Sequence, residues 1–396
     1  MQMPLSALVE HGFVRESFFD ESKAKMSYRF ITHPEIYQFV FGIVNASEKL
    51  RKSQHDLFYI KKTADSSWTI ECDKVGAEVL NSFQSNPQDM EMRFPQNSLH
   101  PAIDICKPYL EDLHYLANSY LSASTSRHFD NDRVNSDYSV LKRIIDQLRM
   151  DLNQPSYIKT LNNFLKSSSN NEISISKYLS GLKNDRKELK FERMQLHFKK
   201  TPPSLQPMGE VRNLKDPRYA SQCEDFKESL LSNVIKAWKG ILVGYISKTH
   251  YTHNWGFVVH LILIFDGACP VTYGATNFVG EHWSKVTQGE GEYEAYKKYE
   301  KDGEVDAKSP KLRDFGIGFY GKKDKAKFAE FVEKVVIFLA RTDKYVRFTI
   351  ESPRIDSLKR GSPALAKAKN ELNKYSSMLP AILQPKNKPL IKPYCA

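Results

Sequence analysis

The chain of 396 residues has only five cysteines, Cys72, Cys106, Cys223, Cys269 and Cys395, with no CxxC among them. That scatter provides neither a disulfide framework nor a zinc knuckle, and it suits a reducing cytoplasm. Long apolar runs are also missing. The longest largely apolar stretch, Val258–Phe265, is far too short to span a bilayer, so no membrane partner is expected. The opening MQMPLSALVEHGF lacks the basic-then-apolar layout of a secretory signal, which makes the cytoplasm the expected compartment. There is no P-loop, no dinucleotide fingerprint and no Ser/His/Asp motif. Gly316 and Gly318 in FGIGFYG are too few to cradle a phosphate.

Acidic residues fall short of basic ones, 47 against 58, leaving a formal net charge of +11. A surplus of that size favours a polyanionic partner, nucleic acid first. The length allows two domains, each with its own core.

Pro34–Lys52 reads as a helix, with Ile36, Phe39, Val40, Ile43 and Val44 in one stripe. Phe58–Lys62 and Trp68–Cys72 flank TADSS and predict a hairpin. Gln84–Pro101 reads as a loop, and helices are expected over His100–Leu121, Ser139–Leu152 and Ser156–Lys166. Residues 1–170 thus predict a mostly helical region of unknown role, ended by the polar run Ser167–Glu172. Beyond it, helices are expected over Ser174–Lys187, Cys223–Lys239, Asn277–Thr287 and Asp324–Thr342. Strands are expected over Leu189–Lys199, 241–250, 256–266, Phe315–Tyr320 and Tyr345–Glu351, with Glu290–Pro310 as a charged insert. That order predicts an α+β domain with an antiparallel sheet over 175–355. Residues 357–396 read as a basic, proline-containing tail.

The most informative stretch is ILVGYISKTHYTHNWGFVVHLILIFD, two strands around a polar turn carrying His250, His253 and His260. Alternation puts Val258, His260, Ile262 and Ile264 on one strand face. Around it run YLSGLKNDRKELKFERMQLHF, AWKGILVGYISK, GFVVHLILIFDG, GEHWSKVTQGEG, FGIGFYG and FLARTDKYVRF. In this order the blocks resemble the C-terminal domain family of prophage YagK/YfjJ proteins, related to the gene-two replication proteins of inoviruses. The resemblance covers about residues 175–355 and says nothing of the first 170.

The family is similar to rolling-circle replication initiators, endonucleases of the His-hydrophobic-His type. The resemblance implies paired histidines binding a divalent metal that polarises the scissile phosphate. It also implies a tyrosine that attacks to leave a 5′-phosphotyrosine link, supported by a lysine one helical turn on.

This chain departs from that pattern twice. The family's paired histidines fall on positions 258 and 260, and Val258 cannot bind a metal. The family often has a glutamate where this chain has His250. A site of His250 and His260 across the ladder, with His253 above, is one reading and suits zinc or manganese better than magnesium. A core histidine at 260 with two turn residues is the other. The nucleophile position falls on Phe338, which has no oxygen, and the lysine position on Arg341. Tyr345 is the remaining hydroxyl nearby, but two helical turns span about 10 Å, so the backbone would have to bend for it to replace the nucleophile.

Three expectations follow. The first is a mobile-element or prophage protein that binds DNA without nicking it, hence no enzyme, through Arg341, Lys344, Arg347, Lys322, Lys323, Lys325 and Lys327. The second is an active metal-dependent nickase using Tyr345. The third is a module that binds a phage or host protein in phage regulation or defence.

Overall fold

The computed structural model describes residues 15–20, 25–30, 34–64, 66–84, 97–121, 130–198, 217–252, 256–268, 275–295, 317–348 and 357–361. These cluster into two compact units. One takes the described residues within Met1–Ile173, Tyr251–Asn254 and Phe338–Glu351; the other takes those within Ser174–His250, Trp255–Ile337 and Ser352–Ala396. The architecture is α+β with antiparallel sheet. Among the described residues no helix is long and apolar enough to cross a membrane.

The first unit begins with a hairpin of β1 (Arg15–Asp20) and β2 (Lys25–Phe30). Helix α1 (Pro34–Lys52) buries Phe39, Val40 and Ile43 of the expected stripe and adds Ala46 and Leu50, while Val44 is half-buried and the Ile36 side chain lies outside the described residues. The expected hairpin forms from β3 (Phe58–Lys62) and β4 (Trp68–Cys72), with Ile60 opposite Ile70. Asp73 caps α2 (Lys74–Asn81), its carboxylate accepting from the Gly76 N–H at 2.7 Å. After β5 (Asn97–Leu99), His100 caps α3 (Pro101–Cys106) through Nδ1, 3.1 Å from the Ala102 N–H. A 3-10 turn at Lys107–Tyr109 separates α3 from α4 (Leu110–Tyr120), so the helix expected over His100–Leu121 is interrupted. Pro108 gives the reason, having no N–H to continue the ladder.

Helix α5 (Asn131–Leu152) starts eight residues before the expected Ser139, capped by Asp130. Its polar first turns carry Val134, fully buried, as their sole early apolar anchor, too sparse to show as periodicity. Helix α6 (Pro155–Asp185) runs unbroken through Ser167–Glu172, where the sequence suggests a break. Serine and asparagine cost a helix only a few tenths of a kcal/mol each, which a single well-placed contact offsets.

The second unit is built on a sheet whose strands lie in the order 318–321, 188–198, 256–266, 242–252, 358–360, with 291–295 also paired to 188–198. Its strands are β6 (Glu188–Phe198), β7 (Leu242–Thr252), β8 (Gly256–Asp266), β9 (Gly291–Ala295), β10 (Gly318–Gly321) and β12 (Leu358–Arg360). Strand β11 (Val346–Phe348) instead pairs with β5 in the first unit, Val346 opposite Leu99, and so does not close the large sheet. Two expectations change here. Gly291–Ala295, read as part of a charged insert, is a strand because its alternating GEYEA pattern pairs with β6. Leu358–Arg360, read as tail, is a sheet strand paired with β7; the tail beyond Gly361 lies outside the described residues.

One sheet face is covered by α7 (Pro217–Ala237) and α8 (Ala275–Val286). The Trp238 ring lies 5.7 Å from Phe265 and 4.5 Å from Phe278, and Trp283 lies 5.4 Å from Phe198. The other face carries Phe191, Gly244 and His260. Phe191 packs on Phe331 at 4.9 Å and on Tyr320 at 5.2 Å. A Cβ on Gly244 would sit 2.3 Å from the Tyr178 hydroxyl, so α6 lies directly on β7 there. Arg186 ties the end of α6 to the end of β8 by a buried ion pair to Asp266, 2.6 Å.

Candidate functional site

Strand β8 is apolar along nearly its whole length, and His260 stands in its middle with 1% of its surface exposed. Gln195 on β6 is its partner across the ladder. From β7, His250 reaches the same face, and the two imidazole rings stack with centroids 4.8 Å apart and planes 13° apart. The sequence reading that joins these two histidines across strands is therefore correct in geometry. Burial, then the charge of Lys248 two residues back, pushes the His250 pKa down to about 3. His253 and the Trp255 that follows lie outside the described residues.

The donor set as folded does not fit a divalent cation. Imidazole lone pairs lie in the ring plane, so two parallel stacked rings aim theirs side by side and not at one point. No group of three or more His, Cys, Asp or Glu with ligand geometry occurs among the described residues. Val258, buried on the same face, contributes no donor.

The helical stretch that carries the nucleophile position comprises α9 (Lys325–Phe331), a π-helical segment Val332–Ile337 and α10 (Phe338–Arg341). A 3-10 turn, Thr342–Lys344, follows. The π segment adds a residue to the turn, so strict i+3/i+4 counting slips. Phe328, Phe331, Val335, Val336, Leu339 and Ala340 are buried, whereas Val332 is half-buried. The Phe338 backbone begins α10, and its side chain lies outside the described set.

Tyr345 stands on the first unit's core. Its ring meets Phe41 edge-on at 4.4 Å, its carbonyl accepts from the His100 N–H at 2.9 Å, and burial raises its pKa. Those contacts give it a packing role, and a phenol whose pKa is raised is a poorer nucleophile.

Successive turns of one face of α6 hold the segment around it. The Ser168 hydroxyl donates to the Ala340 carbonyl at 2.8 Å. The Glu172 carboxylate accepts from Arg341 Nε at 3.2 Å and pairs with Lys344 Nζ at 2.7 Å. Arg347 donates to the Phe164 carbonyl and stacks over the Phe164 ring at 4.2 Å. Residues 164, 168 and 172 are four apart, the spacing that places them on one stripe. No local pattern signals this clamp, because its partners lie about 170 positions apart.

The lysines at the β10–α9 turn behave differently. Lys322, Lys323 and Lys325 are exposed and make no ion pair among the described residues, while Lys327 sits over the Tyr320 ring at 5.0 Å. Asp324 between them spends its carboxylate on the Gly321 N–H, 2.7 Å. Of the seven cations singled out from sequence, the structure thus engages Arg341, Lys344 and Arg347 internally and leaves this turn facing solvent.

Elsewhere, Lys359 on β12 pairs with Glu224 and with Glu228 at 2.8 Å, and Lys227, 1% exposed, pairs with Glu224 at 2.6 Å. Burial lowers the Lys227 pKa. Lys359, one of the basic residues of the expected tail, is thus paired with two carboxylates of α7.

Comparison of the chain with family models, with curated proteins and with solved structures gives no match in any of the three.

Proposed function

We propose that this is a DNA-binding protein derived from a replication initiator, with a site that no longer cuts. The observation that carries the binding half is the solvent-facing turn of Lys322, Lys323 and Lys325, none of them in an ion pair among the described residues. On a chain of net charge +11, such a turn is a ready phosphate contact, and phosphate contacts supply most non-specific DNA affinity. The inactive half rests on chemistry at named positions. Val258 replaces one expected metal ligand, and His250 and His260 stack where convergent donors are needed. Phenylalanine at 338 has no hydroxyl, and the Tyr345 ring is packed on Phe41.

The test combines two measurements on the full chain. Fluorescence anisotropy with single-stranded and hairpin DNA reads binding at several salt concentrations. A nicking assay with manganese, magnesium or zinc reads strand breaks and covalent adducts. Binding that weakens steeply with salt, without cleavage, is the expected result. No binding at low salt overturns the binding half and directs attention to protein partners. Cleavage with an adduct overturns the inactive half.

A further inference from the structure

Glu172 makes contacts that a phosphate could make. Its two oxygens meet one guanidinium N–H and one ammonium, Arg341 Nε at 3.2 Å and Lys344 Nζ at 2.7 Å. Both cations are donors only, and both suit phosphate oxygens as well as carboxylate oxygens. The carboxylate side chain is 16% exposed, and the cations are 33% and 30% exposed, so the seat is rimmed by solvent and not sealed.

We propose that Glu172 is an internal stand-in for a nucleic-acid phosphate, and that binding at this seat exchanges the carboxylate for a phosphodiester. The inference rests on the DNA-binding reading above and deepens it by naming a gated anion seat. Two features make the exchange workable. The segment bearing the cations is held independently of Glu172, by Ser168 on the Ala340 carbonyl and by Phe164 under Arg347. Releasing Glu172 therefore leaves Arg341 and Lys344 in place. A carboxylate and a phosphodiester each carry one negative charge, so the swap leaves the local balance at one net positive charge while freeing Glu172 to turn to water.

The arrangement makes Glu172 a brake. It lowers affinity for any anion by the cost of displacing it. Removing its charge removes the competitor.

The experiment compares wild type, Glu172→Gln, Arg341→Gln and the double variant, with DNA in the anisotropy assay and with pyrophosphate in thermal denaturation. Glu172→Gln should bind DNA several-fold tighter, with a log–log salt slope close to that of wild type, because the same phosphate is engaged without a carboxylate to displace. The gain should vanish in the double variant. Wild type that binds DNA while Glu172→Gln binds equally or more weakly overturns the exchange and leaves the DNA-binding reading standing. If wild type fails to bind DNA at low salt, that reading falls, and pyrophosphate decides the seat. Stronger stabilisation of Glu172→Gln than of wild type supports it, and equal stabilisation overturns it. A lower melting temperature with no gain in affinity for either anion marks Glu172 as a structural ion-pair partner and also overturns the proposal.

Discussion

His250 and His260 lie face to face at 4.8 Å, on neighbouring strands of one sheet, and both are buried. A stack of this kind requires at least one neutral ring, because two imidazolium ions in van der Waals contact repel in a medium that screens poorly. His250 is neutral, with its pKa held at about 3 by burial and by Lys248. His100 in the first unit is held at about 4 by burial, and its Nδ1 must stay unprotonated to accept the Ala102 N–H.

These two histidines make stability depend on pH in a defined direction. Their folded pKa values lie below the ordinary value of about 6.5, so the unfolded chain binds protons that the folded chain refuses. The stabilisation is complete above about pH 6.5 and is lost as pH falls towards 4 and then 3. The slope is about 1.4 kcal/mol per pH unit for each histidine within that window. Urea unfolding between pH 7.5 and 4.5 should show it, and His250→Phe, which keeps a ring but cannot titrate, should flatten the transition of the second unit. An unchanged slope in that variant would count against the assignment.

Metal addition provides a separate check. Because the stacked rings do not converge, millimolar manganese, magnesium or zinc should leave the melting temperature of the wild type where it was, apart from effects shared by a His250→Phe/His260→Phe variant. Stabilisation by a metal in the wild type that disappears in that variant would mean the rings can rotate into a chelate, since a ligand that binds only the folded state raises its stability.

Much of this was legible in the sequence, for reasons that differ by element. The hairpin Phe58–Lys62 with Trp68–Cys72 was readable residue for residue, because alternation and a TADSS turn are local signals. The approach of His250 to His260 was readable because it needs only a hairpin and a parity. The pairing of Val346–Phe348 with Asn97–Leu99 was not, because its partner lies about 250 residues away. Nor was the continuity of α6 through Ser167–Glu172: the Ser168 and Glu172 contacts that favour it are made by residues after 339. Polar residues that look like a linker locally can be the binding face of a helix.

Tyr345 is the position where the packing and the nickase readings diverge most sharply. Its hydroxyl is dispensable if its ring is what matters, so Tyr345→Phe should change unfolding free energy by less than about 1 kcal/mol, within the range of volume-conserving swaps. Tyr345→Ala should cost about 2–3 kcal/mol, below the range for a fully buried ring, by removing a half-buried ring packed on Phe41. Chemical denaturation followed by tryptophan fluorescence reads both. Covalent DNA adducts in the wild type that are absent in Tyr345→Phe would reverse the reading.

Gly244 tests how closely α6 sits on the sheet. A methyl there would meet the Tyr178 hydroxyl at 2.3 Å and a Leu182 methyl at 2.9 Å, both closer than van der Waals contact allows. Tyr178 is itself 7% exposed, so its ring has little room to retreat. Gly244→Ala should therefore destabilise the second unit by about 1–3 kcal/mol, the usual cost of overpacking. A variant as stable as wild type would show that the helix lifts away at no cost.

The lysine turn bears most directly on function. Lys322, Lys323 and Lys325 occupy four consecutive positions with Asp324, whose carboxylate is taken by the Gly321 N–H. Exposed lysines of this kind contribute little to stability, so changing all three to glutamine should leave the melting temperature within about a degree or two, the range expected for surface substitutions. Their effect on DNA should be large by contrast. Each lysine that neutralises a phosphate contributes roughly 0.7 to the log–log salt slope on single strands and roughly 0.9 on duplex. The triple variant should therefore lose affinity most at low salt and show a slope shallower by about 2 or more. Retained affinity with an unchanged slope would place the DNA contacts elsewhere, and the Arg341–Lys344 seat, released by Glu172→Gln, would be the next surface to titrate.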